Sequence, residues 1–309
     1  MVYIIMPAIK HLVMSGGGPA GFVTYGCARY LCEQKFWQLS DIESIYATSI
    51  GGYIAIVLSL GYEWEWLDDY LIKRPWDKIV DISPMSILNV YSKKGLLDIK
   101  FIETTIFPLF TAKKISENVT MEEFYKHTNI DIHVFSTEIN ANRLKKIDIS
   151  HSSHPSLRVV DALAMTMAYP FVFSPVCIDT QCFIDGGLMN NYPLRDCIEN
   201  TKCELSEILS FKNVWVVDEC QVTNDSNIFD YISTIFQKMN REIDTEVEQG
   251  EIKNTVRCLI EGLNGLPAWF DALSSEKVRE QLIERGSNQA KIFYDYMKVS
   301  NSEGSIQKL

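Results

Sequence analysis

The chain has 309 residues, 47% of them hydrophobic and 22% charged, with a formal net charge of −11. This is ordinary globular composition, which excludes a disordered or collagen-like chain. The acidic balance argues against a nucleic-acid partner and against polybasic docking on anionic membranes.

One large α/β domain with an appendage fits this length better than two equal domains, since such domains run to about 250 residues. A core of that size needs no disulfide or metal staple. The N-terminal run MVYIIMPAIKHLVM is apolar but is broken by Pro7 and Lys10, and it lacks a basic leader and a small-residue cleavage site. No stretch reaches the roughly 18 uninterrupted apolar residues of a spanning helix, so no transmembrane segment is expected. HLVMS (11–15) stops at Gly16, Gly17 and Gly18 and reads as a buried strand. Pro19 suits the first turn of a helix over 19–37, where Phe22, Ala28, Leu31 and Cys32 recur at helical spacing. IESIYATS (42–49) predicts a second strand, and IGGYIAIVLSLGY (50–62) an apolar helix ending near Gly61.

Residues 63–127 read as helices and loops laid over the sheet, with an SPMS turn. IDIHVFSTEIN (130–140) and KKIDIS (145–150) predict a pair of strands, and LRVVDALAMTMAYP (157–170) a helix stopped by Pro170. FSPVCIDTQCFIDGG (173–187) reads as strand, turn and strand, and NVWVVDE (213–219) as another buried strand. From 226 onward the pattern is helical, with its strongest periodicity over 274–297. The strand–helix alternation of the first third predicts an α/β sheet covered on both faces.

The eight cysteines form no C-x-x-C pair and read as reduced, mostly buried thiols of a reducing compartment. Among the five histidines, His151 and His154 fall in a polar run that reads as a solvated loop, and no H-E-x-x-H occurs. No metal site is expected.

Three stretches have chemical potential. The first is Gly16-Gly17-Gly18-Pro19-Ala20-Gly21, between a strand and a helix. Consecutive glycines turn the backbone tightly and point N–H groups outward, and the helix N-terminus adds partial positive charge. Such a turn binds an anion, either a dinucleotide phosphate or a transient oxyanion. The dinucleotide alternative needs a carboxylate after the second strand to grip a ribose. Asp41 precedes that strand, and Thr48, Ser49 and Ile50 follow it. An NAD(P)-binding oxidoreductase is therefore disfavoured. The second stretch is Ala47-Thr48-Ser49-Ile50-Gly51, one change from G-x-S-x-G. A nucleophile elbow needs a strand, a sharp turn and a helix, with small residues two before and two after the serine. The third is Asp185-Gly186-Gly187 after the apolar run Phe183-Ile184. The last histidine is His154, so no histidine follows a strand-end acid in the order of α/β-hydrolases. Either an earlier histidine reaches in, or a carboxylate acts directly as base.

The glycine turn, the small-x-Ser-x-Gly elbow and the Asp-Gly-Gly block, in this order, resemble the patatin-like phospholipase family. DALAMTMAYPFVFSPV (161–176) and FIDGGLMNNYPL (183–194) are also similar to it. The resemblance spans roughly 8–220, with 63–127 as a helical covering segment, and leaves 221–309 as a mostly helical C-terminal extension. It implies a central, mostly parallel sheet and an enzyme that cleaves acyl esters of phospholipids or related lipids without metal or cofactor. On it, Ser49 is the nucleophile and Asp185 the base of a dyad. Gly16, Gly17 and Gly18, with the helix starting at Ile50, form the oxyanion hole, and Gly21, Ala47, Gly51, Gly186 and Gly187 support the motifs. The implied partner is a lipid substrate at a membrane or micelle surface, and the implied location cytoplasmic or peripheral to intracellular membranes. A silent lipid-binding protein of the same fold is the alternative. Ala47 replaces the usual elbow glycine, and Ala20 stands where many members carry a basic residue. The aromatic segments 62–71, 106–110 and 265–270 are candidates for an acyl pocket or for core packing.

Overall fold

The computed structural model describes residues 8–79, 90–216, 221–226, 252–263 and 265–306, with further positions between 228 and 239. The expected SPMS turn and the end of the expected strand at 217–219 lie outside the described residues.

Five strands run parallel: β1 (His11–Met14), β2 (Ser44–Thr48), β4 (Asp131–Glu138), β9 (Ile208–Trp215) and β10 (Thr255–Ile260). The sheet order is β10-β9-β1-β2-β4-β8-β7, where β8 (Gln181–Asp185) and β7 (Val176–Ile178) are antiparallel additions. β5 (Lys145–Ile149) pairs antiparallel with β4. A separate short pair joins β3 (Gly95–Leu97) to β6 (Phe171–Phe173).

Parallel strands buried on both faces need apolar residues at successive positions, which is why HLVM and SIYAT are buried throughout. Strand alternation then sorts their side chains. Leu12, Met14, Ile45, Ala47 and Val134 face the larger core layer. Val13, Tyr46 and Phe135 face a smaller one, with Leu194 and Cys197 of the helix Leu194–Thr201.

The larger layer holds α1 (Gly21–Glu33), α2 (Ile50–Ser59), α3 (Trp64–Lys73) and α4 (Ile99–Ala112), with α5 (Met121–Thr128) and α6 (Val159–Thr166). The smaller layer holds α8 (Leu194–Thr201), which follows the one-turn α7 (Gly187–Asn190). α9 (Gly265–Ser274) and α10 (Glu276–Ile306) close the chain, and α10 packs along α1.

Several expectations are corrected. β9 begins at Ile208, five residues before the apolar run that announced it, and among the described residues 145–149 joins the sheet through β4 alone. The segment from 226 is not wholly helical, because β10 adds an edge strand beside β9. The cysteines are not all thiols: Cys177 and Cys182 are joined across the β7–β8 hairpin, which brings their Cα atoms to 4.0 Å. His151 is not merely solvated; its ring stacks on Tyr125 at 3.8 Å and its Nδ1 is 2.8 Å from Asp131. Among the described residues no helix is long and apolar enough to cross a membrane.

The α1–α10 crossing is a backbone contact. A Cβ on Gly26 would overlap the Ile283 carbonyl, and one on Gly286 would overlap the Val23 carbonyl. The Cys27 thiol donates to the Gly286 carbonyl at 3.1 Å. Gly286→Ala is therefore expected to destabilise the fold by about 1–3 kcal/mol, the usual range for overpacking. Chemical denaturation of the two chains measures this; equal midpoints would show that the helices separate without penalty.

Candidate active site

β1 ends at Met14, and the chain turns through Ser15 to Gly18 before α1 begins. Neighbouring strands hold the turn in place. The Ser15 hydroxyl donates to the Phe211 carbonyl at 3.2 Å and accepts the Asn213 N–H at 2.8 Å. The Asn213 amide donates to the Gly16 carbonyl at 3.0 Å and accepts the Thr24 hydroxyl at 3.2 Å. Gly16 N–H is donated to the Asn191 carbonyl at 3.1 Å. The N–H groups of Gly17 and Gly18 find no acceptor among the described residues. Gly18 has φ 54°, a left-handed conformation that glycine adopts without penalty. Gly16 needs to be glycine for space: its Cβ would lie 2.6 Å from Asn191 Oδ1 and 3.1 Å from Ser49 Cβ. The turn thus rests directly on Ser49.

Ser49 joins β2 to α2 with φ 55° and ψ −127°, a conformation that a non-glycine residue holds only under constraint. The constraints are visible. Its N–H donates to the Thr166 hydroxyl at 2.9 Å, and the preceding Thr48 hydroxyl donates to the Asn190 carbonyl at 2.7 Å. Gly51 lets α2 approach β1, because a Cβ there would lie 2.7 Å from the Met14 carbonyl. A Cβ on Gly21 would overlap Ile50, so the first turns of α1 and α2 also touch. Ala47 is fully buried in the larger core layer.

Asp185 ends β8, across β4 from the elbow; it pairs with Ser136, one residue past the Phe135 that pairs with Thr48. Its backbone N–H donates to Ala168 at 3.0 Å. A Cβ on Gly186 would overlap the Phe135 carbonyl, so only glycine lets the chain pass β4 there. Gly187 opens the following helical turn and donates its N–H to Asp185 Oδ1 at 2.7 Å. The other oxygen, Oδ2, accepts the Ser49 hydroxyl at 2.5 Å. Asp185 is 3% exposed. Burial drives its carboxyl up to about 6, against the opposing pull of the Ser49 and Gly187 hydrogen bonds.

Ser49 opens into a cavity of about 120 Å³ lined almost wholly by apolar side chains, among them Tyr53, Phe101, Tyr169, Phe173 and Trp269. The Trp269 ring covers Gly18 so closely that any Cβ there would overlap it. The aromatic segments thus divide. Leu71 and Trp269 line the cavity, whereas Ile106, Leu109 and Phe110 are core. No histidine lines it. Asp41 is exposed, next to the start of β2 and so at the far end of that strand from the glycine turn. Among the described residues no cluster of His, Cys, Asp or Glu has metal-holding geometry.

The structure thus brings Gly16, Gly17, Gly18, Ser49, Ile50 and Asp185 together, with Gly21, Ala47, Gly51, Gly186 and Gly187 as the close-packed supports. Thr166 and Asn213 meet the motifs only through the tertiary fold and carry no mark in the sequence, whereas Trp269 falls in the 265–270 segment that was a candidate for an acyl pocket.

The fold is an α/β sheet whose strand–turn–helix elbow presents the Ser49 hydroxyl to a buried carboxylate. The patatin-like phospholipase family pattern matches residues 12–198, and the chain belongs to that family. It is 24% identical over 286 residues to "Uncharacterized protein R571" of Acanthamoeba polyphaga mimivirus, covering 92% of this chain and 93% of that one. It is 23% identical over 190 residues to "Probable lipid hydrolase 463L" of Invertebrate iridescent virus 6, covering 62% of this chain and 63% of that one. The fold is similar to the crystal structure of VipD from Legionella pneumophila, with a TM-score of 0.54, 16% identity, 94% of this chain and 67% of that chain covered.

The raised Asp185 carboxyl has a consequence for stability. The buried carboxylate burdens the folded state wherever it is ionised: not below the ordinary value of 3.8, progressively through about 6, and fully above it. Asp185→Asn removes that burden. The variant is expected to be more stable than wild type above pH 7, by up to about 3 kcal/mol, and no more stable at pH 4. Denaturant titrations at both pH values test this; a variant that loses stability at neutral pH would contradict a strained, desolvated carboxylate.

Proposed function

We propose that the protein is a lipid acyl hydrolase that cleaves carboxylic esters of phospholipids or related lipids by a Ser49–Asp185 dyad. The observation that carries this reading is the Ser49 hydroxyl, 2.5 Å from a buried carboxylate and facing an apolar cavity. The family and the similarity to a viral protein named a probable lipid hydrolase support it.

In the first step Asp185 Oδ2 takes the Ser49 proton while Oγ bonds to the ester carbonyl carbon. The carbonyl π-electrons move onto oxygen. An oxyanion near Ser49 meets the free N–H groups of Gly17 and Gly18 and the first N–H groups of α2, beginning at Ile50. Ser49 N–H is already engaged by Thr166, and Gly16 N–H by Asn191, so these two hold the elbow and the turn. A single such donor is worth roughly 2.7–4 kcal/mol in the transition state. Collapse breaks the ester C–O bond, and the proton on Asp185 passes to the leaving alkoxide. Water then adds to the acyl-enzyme with Asp185 again as base, and Ser49 leaves with that proton. A carboxylate at the ordinary 3.8 is a poor base for an alcohol; burial that lifts it to about 6 narrows the gap without protonating it at neutral pH.

Ser49→Ala is expected to abolish ester hydrolysis while preserving the fold, and a serine-reactive organophosphonate to label wild type at Ser49 alone. In wild type, kcat/KM should rise with pH through about 6 and level off above it, since the ionised carboxylate is the active form. Undiminished turnover in the alanine variant, or a profile flat from pH 4 to 8, would remove the dyad.

A further inference from the structure

We propose that the outward face of segment 228–239 docks the protein on an uncharged or zwitterionic lipid surface and so sets the cavity mouth against it. The proposal deepens the hydrolase reading and rests on it for the identity of the occupant. The backbone is helical at the described positions of this segment. Ile228, Tyr231, Ile235 and Met239 are 58%, 48%, 38% and 42% exposed. Their spacing of three, four and four places them on one side of a helix. Thr234, on the flank of that stripe, is buried. Phe236 turns inward, its ring 5.6 Å from that of Tyr169. Tyr169 lines the Ser49 cavity and lies 5.7 Å from Trp269.

The stripe is therefore one side chain removed from the cavity wall. A helix face that exposes isoleucine, tyrosine and methionine has no reason to stay wet unless something covers it. An acyl chain entering the cavity leaves an aggregate that must abut the mouth, and Phe236 ties this apolar face to Tyr169 of the cavity lining. Charge narrows the surface further. The chain carries −11, so anionic headgroups repel it, and insertion of the stripe is left as the attractive term.

The test separates docking from chemistry by using the full chain carrying Ser49→Ala. Its partition onto phosphatidylcholine vesicles is measured by sedimentation, with and without Ile228→Ser and Ile235→Ser. The serine pair is expected to weaken partition by at least about tenfold. Added phosphatidylserine is expected to weaken binding by the parent chain, and salt to relieve that loss. With Ser49 intact, the same pair should hydrolyse a monomeric short-chain ester within about twofold of the parent, as exposed substitutions usually do. Equal partition of the two chains overturns the proposal, as does a parent chain that ignores phosphatidylcholine. A concentration-dependent dimer that the serine pair dissolves also overturns it, because the stripe then covers a second copy. Vesicle binding by a chain whose Ser49 form hydrolyses no ester would support docking and remove only the hydrolase reading.

Discussion

Holding a serine hydroxyl 2.5 Å from a carboxylate that is 3% exposed is a demanding arrangement. Burial disfavours the ionised acid, and among the described residues the compensation is two neutral donors, Ser49 Oγ and Gly187 N–H. Three backbone segments must also converge on one point. The elbow and the Asp-Gly-Gly block each pass another backbone where a Cβ does not fit, Gly51 against Met14 and Gly186 against Phe135, and in the glycine turn a Cβ on Gly16 would meet the Asn191 side chain and Ser49 Cβ. The glycines are thus required by distance more than by flexibility. Ala47 belongs to the same set on different terms. Its side chain points into the larger core layer, where one methyl is accommodated.

Much of what holds these segments lies beyond the part matched by the family pattern. Asn213 on β9 ties the glycine turn to α1 through Thr24, and Trp269 on α9 covers Gly18. α9 is fixed in turn by Arg279, which is 1% exposed. Its guanidinium donates to the carbonyls of Ala272 and Leu273 at the end of α9 and of Ile72 and Arg74 at the end of α3. Those of Ile72, Ala272 and Leu273 are helix-terminal carbonyls of the kind left without an intrahelical donor, and that of Arg74 also accepts the Trp76 N–H at 2.9 Å. One cation thus satisfies two helix ends and joins the wall of the cavity to the segment that covers it.

The parts legible in the sequence are those whose signal is local. A strand, a glycine run and a helix follow one another within 11–33, and strand, Ser49 and helix within 44–59. Asp185 was found because a short apolar run stops at it. Thr166 and Asn213 carry no such mark: their hydrogen bonds reach 117 and 197 residues along the chain, to Ser49 and Gly16. β10 escaped because TVRCLI alternates buried and exposed side chains at an edge, with Arg257 and Leu259 outward, and follows a long polar stretch. The start of β9 was hidden for a related reason, since Ser210 and Lys212 interrupt its apolar run. The Cys177–Cys182 pair depends on hairpin register, which the turn sets and the spacing of cysteines alone does not announce.

The same sheet holds a second buried ionisable group with the opposite solution. His133 lies on β4, its ring stacked on Tyr46 at 4.2 Å. Burial works against its charge, yet hydrogen bonds to Asp131 and Asp148 outweigh that and raise it to about 9. It therefore stays charged near neutrality and serves as a fixed tie between β4 and β5. Asp185 has no opposing cation among its determinants, only burial and neutral donors. A nearby arginine or lysine would lower the carboxyl and make it a weaker base; a second carboxylate would raise it until it was protonated at neutral pH. Leaving it with neutral donors alone puts its proton affinity between those limits. For the dyad proposed above, the lack of a histidine in the cavity lining is then intelligible in physical terms. Desolvation raises the carboxylate's basicity without a third residue, and the required geometry is set by β4, which lies between the serine and the acid.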